Sequence, residues 1–250
     1  VLAGAALAAL GACSTPDLAT RDAAADPYEA QNRDVHAFNS ALDRTIVRPV
    51  AVTYTQVMPD GIEDNIGNLA SNLGVPSAAI NQALQGRVID AGRNVLRFAI
   101  NSTFGIAGLA DVASDLGLPP QDADFGQTLA VWGVPQGDYI VRPFLGPSTE
   151  RATVGSVVDI VLNPLSGRLY PDPAIPAPYD LYATGARVAA GLGQRGRFAD
   201  TIDSVLYDSV DPYAAARDAY LQNRAFELEQ AGVAGAANAP DPYADIFGEE

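Results

Sequence analysis

Residues Asp124 to Ser148 read DFGQTLAVWGVPQGDYIVRPFLGPS, and the reading of this stretch decides the fold. It holds the only tryptophan of the chain, Trp132, among glycines and prolines. Turn-forming residues bracket two short apolar runs, Thr128 to Trp132 and Tyr139 to Leu145. The second run is rich in β-branched and aromatic residues, which predicts a strand or hairpin arm near 139–145. The chain on either side carries helical periodicity. The expected fold is therefore mainly α: amphipathic helices interrupted by one short β-hairpin.

Upstream, Asp26-Pro27-Tyr28-Glu29 is a helix start, with Asp as cap, Pro at the first helical position and Glu two residues on. The helix it opens carries Tyr28, Val35, Phe38 and Leu42 on one side, and Pro49 is expected to open a second. After the break at Pro59-Asp60-Gly61, Ile62, Ile66, Leu69 and Leu73 follow a 3.6-residue period. Helices are predicted near 76–86 and 87–103. Arg93 and Arg97 lie one turn apart on a face read as solvated. Residues 104–118 hold three glycines and read as a flexible, partly helical segment. Downstream, a helix to about Leu162 precedes a proline-rich connection over 164–178, and another runs from about Tyr179 to Leu192. Asp211-Pro212-Tyr213 repeats the helix-start signal and opens the last helix, to about Gln230. Residues 231–250 are rich in Ala, Gly and acid, and read as a disordered tail.

Apolar residues make up 48% of the 250 and charged residues 18%, which suits a packed chain. The net charge of −15 disfavours a phosphate backbone, so nucleic acid is not an expected partner. Residues 1–12, VLAGAALAALGA, form an apolar run too short to span a bilayer and read as the remnant of a secretory signal with a truncated start. It ends Leu10-Gly11-Ala12-Cys13, which is similar to a bacterial lipobox. The resemblance makes Cys13 the expected lipidation site, residues 13–25 a tether, and Ser14 a signal favouring the outer membrane.

Catalytic patterns are sparse. His36 is the only histidine, read as a surface residue, and Cys13 is the only cysteine. No G-x-S-x-G elbow or G-x-x-x-x-G-K-[ST] phosphate loop occurs, and no G-x-G-x-x-G follows a strand. No enzyme activity, metal or cofactor is expected.

Three segments point one way: Asp26–Tyr54, with Asn32, Arg33, Phe38, Asn39 and Arg48-Pro49-Val50; Asp124–Ser148; and Ser209–Arg224. Together with Asn101–Ala113, they resemble the MlaA (VacJ) family of outer-membrane lipoproteins. The resemblance covers most of residues 26–228. It implies a ring of amphipathic helices (26–230) in the inner part of the outer membrane, facing the periplasm. It also implies association with a trimeric porin and passage of misplaced phospholipid to a periplasmic carrier, which keeps the two leaflets different. Phe38, Asn39 and Arg142 are then candidates for the lipid path, and Trp132 and Tyr139 for the lipid–water boundary, with Phe144 and Leu145 in apolar surroundings. Arg142 departs from the family pattern, as does Asp138 between Gly137 and Tyr139. The alternative reading is an envelope lipoprotein that scaffolds a porin and moves no lipid.

Overall fold

The computed structural model describes residues 26–166 and 179–233. The signal-like run, Cys13 and its tether, the proline-rich connection beyond Ser166, and most of the acidic tail lie outside the described residues.

The first helix is α1 (Glu29–Leu42). It continues through a π-turn (Asp43–Val47) into α2 (Arg48–Val57). Proline explains the wide turn. Pro49 has no N–H to give and its ring would crowd the carbonyl four residues back, so an ordinary α-turn fails here. The N–H of Arg48 reaches Asp43 O, five residues back, and the helix proceeds. Next come α3 (Asp60–Asn72), α4 (Val75–Leu84), α5 (Val88–Thr103), the single turn α6 (Val112–Asp115) and α7 (Phe125–Val131). Strands β1 (Tyr139–Arg142) and β2 (Gly146–Thr149) pair antiparallel, Tyr139 opposite Thr149 and Arg142 opposite Gly146. Helices α8 (Glu150–Leu162), α9 (Tyr179–Arg197), α10 (Ala199–Asp203) and α11 (Pro212–Gln230) follow, with a second π-turn (Ser204–Asp208) after α10.

The opening stretch splits into a short helix and the expected hairpin. Phe125 to Val131 is helix α7, capped by Asp124, whose carboxylate accepts from Gln127 N–H. The run Tyr139–Leu145 is one arm plus the turn, not one arm, and the second arm is Gly146–Thr149. Phe144 takes the left-handed backbone of that turn, φ 64°. At the two helix starts the same tripeptide acts differently. Asp211 caps α11 through Ala214 N–H. Asp26 instead accepts from Tyr28 N–H and Asn32 Nδ2, and α1 begins at Glu29.

Packing between elements closes a circuit. α1 meets β1, β2 meets α8, α8 meets α7, α7 meets α4, α4 meets α3, α3 meets α9, and α9 meets α2, the continuation of α1. This is the ring expected of the resemblance. Small residues let its members approach: a Cβ on Gly155 would stand 2.3 Å from Gly126 N, where α8 crosses α7.

The side chains are sorted in an unusual way. The most fully buried large ones are polar: Gln82, Asn81, Asn94, Thr128, Thr149 and Ser148. Helix α5 shows the inversion most clearly. It buries Ala91, Asn94, Arg97 and Asn101 and exposes Val88, Ile89, Val95 and Leu96. Arg97 is thus not solvated as its sequence suggests. It is 3% exposed and forks onto Asp111 (3.0 and 3.1 Å), with Ser114 Oγ and Leu118 O also accepting from it. Asn101 joins the same carboxylate. This net orders residues 104–118, read from the sequence as flexible. Burying polar groups is tolerable because they bond each other. Exposing rows of large apolar groups is favourable only beside another apolar medium. None of the described helices is long and apolar enough to cross a membrane.

Candidate functional site

The site is built on one edge of the hairpin. β1 gives one edge to β2; the other faces α1, where two asparagines serve as a substitute strand. Asn32 Nδ2 donates to Tyr139 O (3.0 Å), and its Oδ1 accepts from Val141 N–H (2.8 Å). Asn39 Nδ2 donates to Arg142 O (2.9 Å), and its Oδ1 accepts from Phe144 N–H (2.8 Å). The second pair holds the left-handed Phe144 in place. Beside it the Phe38 and Phe144 rings meet edge to face at 5.3 Å. The structure therefore brings Phe38, Asn39 and Arg142 together at the hairpin turn. The Arg142 side chain leaves that point and donates to Ser156 on α8 (3.2 Å).

Between α1, the hairpin turn and the second π-turn lies a recess of about 270 Å³. Val47, Val141, Phe144, Leu145, Pro147 and Leu206 give it apolar walls, and His36, Asn39, Ser40 and Asp43 give it a polar side. Phe144 and Leu145 are 72% and 69% exposed at its mouth. A hydrocarbon segment fits such walls, and a polar group fits the other side.

His36, read from the sequence as a surface residue, is buried. Its ring packs edge-on to Tyr213 at 5.8 Å, and its Nε2 lies 3.3 Å from Ser40 Oγ. Burial lowers its pKa, partly opposed by the Asp211 charge. Asp211 itself is drawn down to about 2 by the two hydrogen bonds from Arg33 (3.0 and 2.7 Å).

Behind the recess sits a charged knot that the sequence reading missed. Arg195 of α9 binds Asp43 (Nε 3.0 Å, Nη2 2.7 Å) and Asp203 (2.6 Å). Arg48 Nε also donates to Asp203 (2.6 Å), and the Tyr207 hydroxyl donates to Asp43. Burial pushes the Asp203 carboxyl up, but the bonds from Arg195 and Arg48 outweigh it and hold it below the usual range. No local pattern marks this knot, because its members come from three separate segments.

The two boundary candidates part company. Trp132 is 54% exposed at the end of α7, with its ring edge-on to Phe125 and its indole N–H on Leu84 O (3.1 Å). Tyr139 is 6% exposed and belongs to the small aromatic core with Tyr213 and Tyr220. Strand alternation explains this: Tyr139 and Val141 point inward together. The expectation of a boundary tyrosine at 139 is corrected to a core one, whose hydroxyl burial keeps neutral.

Fold and site together define a class: a helical ring whose helix α5 turns apolar groups outward and buries polar ones, with an amphipathic recess beside a clamped hairpin. Comparison with known proteins adds the family. Residues 24–227 match the MlaA lipoprotein family. The chain is 38% identical over 200 residues to an uncharacterized protein of Rickettsia felis, covering 80% of this chain and 76% of that one. It is 33% identical over 205 residues to the intermembrane phospholipid transport system lipoprotein MlaA of Escherichia coli K12, covering 80% and 77%. A solved structure from work on the structural basis for maintenance of bacterial outer membrane lipid asymmetry aligns with a TM-score of 0.69 and 32% identity. That alignment covers 82% of this chain and 99% of the other. The chain belongs to the MlaA lipoprotein family.

Proposed function

We propose that this protein takes phospholipids that have strayed into the outer leaflet of the outer membrane and hands them to a periplasmic carrier, so that the two leaflets stay different. The observation that carries this reading is the inversion of side chains on α5 within a closed circuit of helices. Apolar groups on α5 face outward, polar groups are buried, and an amphipathic recess opens beside the hairpin. A phospholipid needs apolar walls for its tails and a polar track for its head. The function borne by the named relatives points the same way.

In this reading Cys13 carries the lipid anchor and the ring lies in the periplasmic leaflet, beside a trimeric porin. Phe38, Asn39 and Arg142 border the lipid path, and the exposed indole of Trp132 marks the lipid–water boundary. The charged groups hold the ring together, and the transfer needs no chemical step.

Mass spectrometry of the full chain, extracted from membranes in mild detergent, tests the reading. Phospholipid should co-purify, and less of it with Val47→Trp, which fills the recess. A wild-type chain that carries no lipid under conditions that preserve its fold contradicts the reading.

A further inference from the structure

The described residues contain π-turns at Asp43–Val47 and Ser204–Asp208, some 160 residues apart in sequence. Each contributes lining to the same recess, Asp43 and Val47 from the first and Leu206 from the second. π-turns inserted in α-helices occur mostly where a helix must carry a function at some cost in regularity. Here the two are tied to each other. Arg195 is 8% exposed and lies behind the recess wall, not in it. Its guanidinium joins Asp43, which opens the first π-turn, to Asp203, which immediately precedes the second. The turns also touch directly. The Tyr207 hydroxyl donates to Asp43, and the Arg44 guanidinium sits 4.3 Å over the Tyr207 ring.

We infer that Arg195 is a positioning residue for lipid passage: by clamping Asp43 and Asp203 it fixes the separation of the two π-turns, and with it the width of the recess between them. This rests on the transport reading above. Arginine is the residue type suited to the task. Its planar fork can hold two carboxylates at a set angle, whereas lysine offers a point charge that holds neither in a fixed orientation. Arg48 of α2 holds Asp203 alone, so of these two guanidinium groups Arg195 is the one that spans both carboxylates.

The test measures separation and transport in the same variants. Spin labels at the exposed Ile46 and Asp208, one on each π-turn, report their distance in the full chain with Cys13→Ser. Phospholipid transfer is measured in parallel on unlabelled, lipidated chains in reconstituted vesicles. Arg195 should give one narrow distance. Arg195→Lys should broaden it and slow transfer, and Arg195→Met should do both more strongly, by several-fold in rate. Asp43→Asn/Arg195→Met keeps the Arg48–Asp203 pair and leaves no unpaired charge. It should restore thermal stability while the distance stays broad and transfer stays slow. A narrow, unchanged distance in Arg195→Met overturns the inference, as does a broadened distance with transfer at the wild-type rate. Recovery of transfer in this double variant also overturns it, because charge balance and not position would then be the requirement. If the wild type itself transfers no lipid, the transport reading fails, and the label distance still decides whether Arg195 sets the separation.

Discussion

Asn32 and Asn39 stand seven residues apart on α1, and each binds one peptide unit's worth of N–H and C=O on the free edge of β1 and its turn. The spacings match. Two helical turns advance about 10.5 Å, and three extended residues, from the Tyr139 carbonyl to the Arg142 carbonyl, advance about 10 Å. A helix can therefore take the place of a strand, provided that its side chains are amides offering both a donor and an acceptor. The arrangement also removes an open sheet edge, which would otherwise invite pairing with another chain.

The two amides should differ in worth. Asn32 is 3% exposed, and its loss strands a buried donor and a buried acceptor. Asn32→Ala should cost about 1–3 kcal/mol, Asn39→Ala nearer 0.5–1.5 kcal/mol. Thermal melts of the detergent-solubilised chain check the order; an equal or reversed pair would show that the hairpin edge is held otherwise.

The crossing of α7 and α8 depends on bare backbone. A Cβ at Gly155 would come 2.3 Å from Gly126 N and 2.7 Å from its Cα, neither of which belongs to a side chain that could swing away. Gly155→Ala should destabilise by about 1–3 kcal/mol. Gly92→Ala, with nothing within 4 Å of the added atom, should stabilise α5 by about 0.5–1 kcal/mol. Denaturation midpoints of the two variants should move in opposite directions.

How far these features were legible depended on locality. The helices, the hairpin and the Asp211 cap follow from periodicity and turn chemistry, and the ring came from the family resemblance. The direction of the faces was not legible. Asn94, Arg97 and Asn101 recur at helical spacing along α5, and that regularity was a signal. It reads as a solvated face only under the assumption that water lies outside. Arg97 turned out buried for the same reason that Leu96 turned out exposed. Within the site, Phe38 and Asn39 were marked by the family resemblance. Arg195, Asp43 and Asp203 were not, because Asp43 lies some 150 residues from the other two and nothing local links it to them. Tyr139 was placed at the lipid–water boundary by the resemblance, whereas strand alternation turns it inward onto Tyr213.

His36 gives the fold a pH dependence of defined sign. Its folded pKa lies below the ordinary 6.5, so the unfolded chain binds the proton more readily. Its contribution is fully present above pH 6.5 and is lost as pH falls from there through the lowered folded value. His36→Gln should flatten the stability profile over that window and leave the profile above pH 7 unchanged in slope. A wild-type profile that rises on acidification across the window would contradict the assignment.

The outward apolar face of α5 should be needed for membrane association and not for folding. Leu96→Asp places a charge where 50% of the side chain is already exposed. In a lipid medium a charge at depth costs about 2.5–3.5 kcal/mol on insertion scales. In an unlipidated Cys13→Ser background, vesicle flotation should fall while helical content holds. Unchanged flotation would mean that α5 faces water.

The most direct measurement is the phospholipid content of the outer leaflet in cells that lack this chain, read by an outer-leaflet-specific lipid modification. A rise in modified phospholipid, reversed by the wild-type chain but not by Arg195→Met, is the predicted result. An outer leaflet unchanged by the deletion would contradict the account.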